Sequence, residues 1–90
     1  MRICQRYVIK GRVQGVYYRQ STLEMATALA LTGYVKNNAD GTVECVACGP
    51  YEALQSLVEW LWQGPDAAEV TELLTYVAIP QNYLEFKIKA

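Results

Sequence analysis

Ninety residues with a formal net charge of −1 allow one domain and argue against a general nucleic-acid binder, which should carry a basic surplus. About half of the chain is apolar (52 %), yet no apolar run is long enough to span a membrane. There is no histidine, which removes histidine nucleophiles, Ser/His and Cys/His dyads, imidazole general bases and most zinc sites. An enzyme made from this chain must work by positioning and charge stabilisation, or through a carboxylate or a tyrosine.

The opening residues, Met1-Arg2-Ile3-Cys4-Gln5-Arg6, have no long apolar core and no small-residue cleavage site, and read as a mature cytoplasmic start. A first strand is predicted from about Ile3 to Val13, with Tyr7 and Ile9 alternating against Arg6, Val8 and Lys10. The stretch Gly11-Arg12-Val13-Gln14-Gly15-Val16-Tyr17-Tyr18-Arg19 then turns the chain into a helix. That helix is expected from about Tyr17 to Leu31, with Leu23, Ala26, Ala30 and Leu31 at helical spacings and Gly33 as its left-handed terminator. A glycine-rich strand-to-helix turn can converge backbone N–H groups on an anion, and the helix N-terminus adds partial positive charge. Arg19 falls in the first helical turn, a poor place for a cation unless an anion lies between the two positive ends. The same residues also suit an ordinary tight turn with a solvated arginine, and the spacing matches neither the Walker nor the Rossmann pattern.

Tyr34-Val35-Lys36-Asn37 reads as a short second strand, and Asp40-Gly41 as a hairpin turn. The third strand is expected over Thr42–Cys48, with Val43, Cys45 and Ala47 on one face and Glu44, Val46 and Cys48 on the other. Leu54, Leu57, Val58 and Leu61 form the apolar stripe of a second helix, begun by Pro50 and ended by Gly64-Pro65. Of its flanking tryptophans, Trp60 and Trp62, one should be half-buried and the other more exposed. A fourth strand is expected over about Val70 to Val77. Leu84-Glu85-Phe86-Lys87-Ile88-Lys89 is expected as a last strand, with Leu84, Phe86 and Ile88 on one face. This order gives an α+β fold of the ferredoxin-like split βαβ type, βαββαβ plus a short final strand. Two helices should cover one face of an antiparallel sheet and leave the other open, in a single domain over residues 1–90.

Two long motifs carry a more specific message. Gly11-Arg12-Val13-Gln14-Gly15-Val16-x-x-Arg19 closely resembles the signature of the acylphosphatase family. Gly33-Tyr34-Val35-Lys36-Asn37-Asn38-Ala39-Asp40-Gly41-Thr42-Val43-Glu44 looks like that family's second signature, at a fitting distance. The similarity continues through Gly49-Pro50, the second helix and Phe86-x-Ile88, and so covers nearly the whole chain. It implies hydrolysis of the mixed anhydride of acyl phosphates without metal, cofactor or covalent phosphoenzyme. By motif match, Arg19 is the phosphate-binding arginine and Asn37 orients the attacking water. The backbone of Gln14, Gly15, Val16, Tyr17 and Tyr18 supplies the anion cradle. Tyr34 stands where tryptophan is frequent, Lys89 where arginine often closes the chain, and Tyr17 and Tyr18 where glycine or phenylalanine often occur.

That chemistry is feasible without histidine, because the leaving group is already a carboxylate. Asn37 can accept a hydrogen bond from water but cannot take its proton, so a phosphate oxygen of the substrate is the expected acceptor and the pH profile should be shallow. Arg12 and Lys36 add positive charge near that edge or are plain solvated charges. Cys45-Val46-Ala47-Cys48 is not expected to bind metal, since residues three apart on a strand face opposite ways. Cys4 and Cys48 fall on the open face of strands that should be antiparallel neighbours, within disulfide reach, although a cytoplasmic setting opposes a permanent bond. The expected ligands are an acyl phosphate and the product-like anions phosphate or sulfate, bound by a monomer with no nucleic-acid or membrane partner. Three rivals stand beside the enzyme: an anion-binding module without turnover, a regulatory module acting through the open sheet face, and action on carbamoyl phosphate within a maturation pathway.

Overall fold

A computed structural model describes residues 2–90. The elements follow in the order β1 (Ile3–Arg12), α1 (Tyr18–Ala28), β2 (Thr32–Asn37), β3 (Val43–Gly49), α2 (Tyr51–Gln63), β4 (Glu69–Val77) and β5 (Phe86–Ile88). They build one five-stranded sheet in the order β4-β1-β3-β2-β5. The first four strands pair antiparallel throughout, while β5 adds to β2 in parallel, so the sheet is mixed. The reason is the path of the chain. It leaves β4 at the end of the sheet where β2 begins, passes to the far edge, and enters β5 from that same end.

Alternation along the strands decides the two faces. Tyr7, Ile9, Val35, Val43 and Cys45 point to the helix side and are fully buried against Leu54, Leu57 and Leu61 of α2 and Ala26 of α1. Each such large apolar side chain withdrawn from water contributes roughly 1.5–3 kcal/mol before the entropy of ordering is subtracted. Trp60 is half-buried, packed at 5.7 Å between ring centroids on Tyr18, and Trp62 is exposed. Residues of opposite parity line the other face. There Glu44 accepts a 2.8 Å hydrogen bond from the Tyr34 hydroxyl and lies 3.8 Å from Arg6, whose guanidinium covers the ring of Tyr76 at 4.4 Å. Burial, and then the hydrogen bond to Glu44, raises the Tyr34 pKa. Lys89 sits 4.2 Å from the centre of the Tyr34 ring, so two of the four positions that depart from the family pattern meet in a cation–π contact.

Cys4 faces Cys48 in the β1–β3 register, and the two are joined by a disulfide with their Cα atoms 4.0 Å apart. The bond joins residues separated by 44 positions, for which the chain-entropy account gives a stabilisation of about 4 kcal/mol. Cys45 is free and buried in the core on the opposite face, and burial pushes its thiol pKa up.

Several element boundaries differ from expectation: β1 ends at Arg12, β2 begins at Thr32 and β3 runs on to Gly49. Helix α1 stops at Ala28 rather than Leu31. Leu31 N–H donates to Ala26 O at 2.9 Å and Ala30 N–H to Thr27 O at 3.0 Å, a Schellman closure with Ala30 as the left-handed residue at φ 58°. Gly33, expected to fill that role, lies inside β2 at φ 140°, where a Cβ would run into the carbonyl of Val46. Thr42 belongs to the turn before β3. The last strand is confined to Phe86–Ile88, leaving Leu84 outside it and almost fully exposed.

Candidate active site

Strands β1 and β2 run in the same direction, because each is antiparallel to β3 between them. Their C-terminal ends therefore emerge at one end of the sheet. Ile9 of β1, Val43 of β3 and Asn37 of β2 form a single row across it. Asn37 shares the parity of Val35, so its side chain rises on the helix side, where α1 begins.

The loop between β1 and α1 is held down by Val13 and Val16, both buried. Between and after these anchors the backbone takes an unusual course. Gly15 has φ 75° and Tyr17 has φ 67°, while Val16 between them does not share the left-handed sign. Such alternation turns successive N–H groups toward one side and forms an anion-binding concavity. Gly15 adopts this conformation without a Cβ penalty, whereas for tyrosine it costs roughly 1–2 kcal/mol. Tyr17 is the N-cap of α1 and offers no side-chain hydrogen bond to the helix, and no acidic residue stands in the first turn. The N–H groups at this terminus are thus left without a capping side chain.

Arg19 lies in that same turn, half-buried and without a carboxylate within ion-pair distance among the described residues. Its neighbour Tyr18 turns the other way. The Tyr18 ring is buried and its hydroxyl donates to Leu61 O at 2.5 Å, tying the start of α1 to the last turn of α2. Burial pushes the Tyr18 pKa up, so it remains a neutral donor. Gly15, Tyr17, Tyr18, Arg19 and Asn37 all line one cleft of about 380 Å³, together with Val13, Gln20 and Ile88. Gln14, Val16, Arg12 and Lys36 do not line this cleft, and Lys36, paired with Glu44, lies on the other face of the sheet. The Asn37 Oδ1 is buried and has no hydrogen-bond partner among the described residues. An unpaired buried acceptor costs roughly 1–3 kcal/mol, which a bound donor would recover.

The two halves of the site are tied by a contact that sequence reading missed. The Gln14 side-chain amide donates to Asn38 O and Thr42 O, each at 2.9 Å. Those carbonyls belong to the β2–β3 turn that carries Asn37. The turn is itself braced, with Asp40 Oδ1 accepting from the Thr42 hydroxyl at 2.7 Å and its N–H at 3.0 Å. The Thr42 hydroxyl, then its N–H, holds the Asp40 carboxyl below the usual range. The Asp-x-Thr spacing at 40–42 was a signal available in the sequence. The long-range reach of Gln14 was not.

Among the described residues, no group of three or more His, Cys, Asp or Glu side chains is placed to hold a metal ion. Cys45 and Cys48, although spaced like metal ligands, face opposite sides of β3. Among the described residues, no helix is long and apolar enough to cross a membrane.

Comparison with known proteins adds an independent line. The family model described as Acylphosphatase matches residues 5–88. An acylphosphatase of Xanthomonas euvesicatoria pv. vesicatoria (strain 85-10) is 53 % identical over 76 residues, covering 83 % of this chain and 86 % of the relative. The solved acylphosphatase of Coxiella burnetii superposes with a TM-score of 0.94 at 39 % identity, over 98 % of this chain and 93 % of that one. That of Bacillus subtilis gives 0.95 at 36 % identity over the full length of both.

Proposed function

We propose that this chain, which belongs to the acylphosphatase family and is an enzyme of that class, hydrolyses acyl phosphates by direct attack of an Asn37-held water on a phosphoryl group gripped by Arg19 and the loop backbone. One observation supports the reading above the others: the Asn37 oxygen is buried without a hydrogen-bond partner among the described residues, and Asn37 lines the same cleft as Arg19 and the left-handed loop.

The chemistry follows from the parts. The phosphoryl oxygens of R-CO-O-PO₃²⁻ take the N–H groups of residues 14–18 and the helix N-terminus on one side and the guanidinium on the other. Arginine grips two such oxygens at once. Charge spreads over these oxygens in the transition state, so fixed donors placed in advance supply most of the acceleration. Asn37 accepts a hydrogen bond from water through Oδ1, aiming a lone pair at phosphorus. A bond forms between the water oxygen and phosphorus while the bond from phosphorus to the acyl oxygen breaks. The electron pair leaves with the carboxylate, and the water proton passes to a phosphoryl oxygen. Gln14 acts through the β2–β3 turn as a positioning residue for Asn37.

The test is hydrolysis of benzoyl phosphate, with and without a chelator, by the wild type and Asn37→Ala. Chelator-insensitive turnover that falls by at least about 10²-fold in the variant is expected. Run in heavy-oxygen water, the reaction should place the label in phosphate. Label in benzoate would mean attack at the carbonyl carbon and would overturn the mechanism.

A further inference from the structure

Two large, exposed hydrophobic side chains in the cleft have no part in holding a phosphoryl group or a water. Tyr17 is 81 % exposed, and Ile88 at the end of β5 is 37 % exposed. Both line the cleft that holds Arg19 and Asn37. Neither exposure helps the fold: the Tyr17 ring packs into no core cluster, and Ile88 stands apart from its buried strand-mate Phe86. Tyr17 moreover holds its ring out from a left-handed backbone that a bulky residue rarely adopts. Strained positions of this kind concentrate at ligand-binding sites. The cleft, at about 380 Å³, lies within the roughly 300–1,000 Å³ range of small-molecule sites and leaves room beyond a phosphate.

Resting on the reading of the site as an acyl phosphate hydrolase, we infer that Tyr17 and Ile88 form an acyl subsite that favours aromatic or other bulky apolar acyl phosphates over short ones. The phosphoryl group is fixed by charge and is common to every substrate. The acyl group must lie outside the cradle, and the exposed faces of these two side chains are the apolar surfaces open to it. A ring laid on Tyr17 gains stacking and excludes water, whereas an acetyl group is too small to cover both residues. Discrimination therefore enters through binding of the acyl part and appears in KM more than in kcat.

The experiment compares kcat/KM for benzoyl phosphate and acetyl phosphate in the wild type, Tyr17→Asn, Tyr17→Phe and Ile88→Ala. Asparagine tolerates the left-handed conformation, so that variant removes the ring while keeping the loop. The benzoyl-to-acetyl ratio should fall roughly threefold to tenfold in Tyr17→Asn, mainly through KM for benzoyl phosphate. It should fall less in Ile88→Ala and hold in Tyr17→Phe. Taking the ratio cancels any loss common to both substrates. An unchanged ratio in both Tyr17→Asn and Ile88→Ala overturns the subsite, as does a lost ratio in Tyr17→Phe. A folded wild type that hydrolyses neither substrate overturns the enzymatic reading itself.

Discussion

The two helices of this protein begin in opposite ways. Helix α2 starts conventionally, with Pro50 in an extended conformation at φ −65° and ψ 149° and Glu52 in the first turn to answer the dipole. Helix α1 has a left-handed tyrosine as its cap, no acid in the first turn, and a cation in it. Neither helix has a side-chain cap. The contrast separates a terminus made for stability from one that tolerates strain and unanswered positive charge. In the proposed function, a terminus of the second kind is completed by an anion that the chain itself does not supply.

The largest effect that would sharpen this contrast is on catalysis. Arg19→Ala should lower kcat/KM by on the order of 10³-fold, because charge-stabilising donors act most strongly in the transition state. Wild-type turnover in this variant would return Arg19 to the status of a solvated surface charge. A smaller loss, of about tenfold to 10²-fold, is expected for Gln14→Ala, which frees the β2–β3 turn and lets Asn37 drift. That loss should appear in kcat with little change in phosphate affinity, and an equal loss of both would mean that Gln14 binds the ligand rather than the turn.

The smallest effects concern stability and should have opposite signs at the two helices. Arg19→Gln removes the misplaced cation and should raise stability by roughly 0.3–1 kcal/mol in anion-free buffer, while activity is lost. Phosphate should restore the advantage of the wild type, since a ligand stabilises the state it binds. Glu52→Gln should lower stability by a similar roughly 0.3–1 kcal/mol and leave kcat/KM untouched. Urea unfolding with and without phosphate reads these three outcomes. Matching signs at the two termini would dissolve the distinction between them.

Much of this architecture was legible because it depends on local periodicity. The alternation of Tyr7 and Ile9, the stripe of Leu54, Leu57 and Leu61, and the turn at Asp40-Gly41 each specify an element and its buried face. The same periodicity misled where apolar residues run past an element. Ala30 and Leu31 extend the helical spacing of α1, yet Ala30 itself takes the left-handed closing position, while Gly33 is needed for close approach to Val46. Leu84 fits the alternation of β5 but lies beyond its pairing with β2. In the site, Arg19 and Asn37 could be singled out by residue type and motif. The Gln14 tie to the β2–β3 turn and the arrival of Ile88 in the cleft depend on contacts between distant segments, which no local pattern encodes.

The measurement that tests the central claim most directly is the affinity of inorganic phosphate for the wild type, Arg19→Ala and Asn37→Ala, by calorimetry on the folded proteins. If the start of α1 holds the phosphoryl group and Asn37 holds only the water, Asn37→Ala binds phosphate like the wild type and Arg19→Ala does not. Wild-type affinity in Arg19→Ala, or equal losses in both variants, would contradict that division of labour.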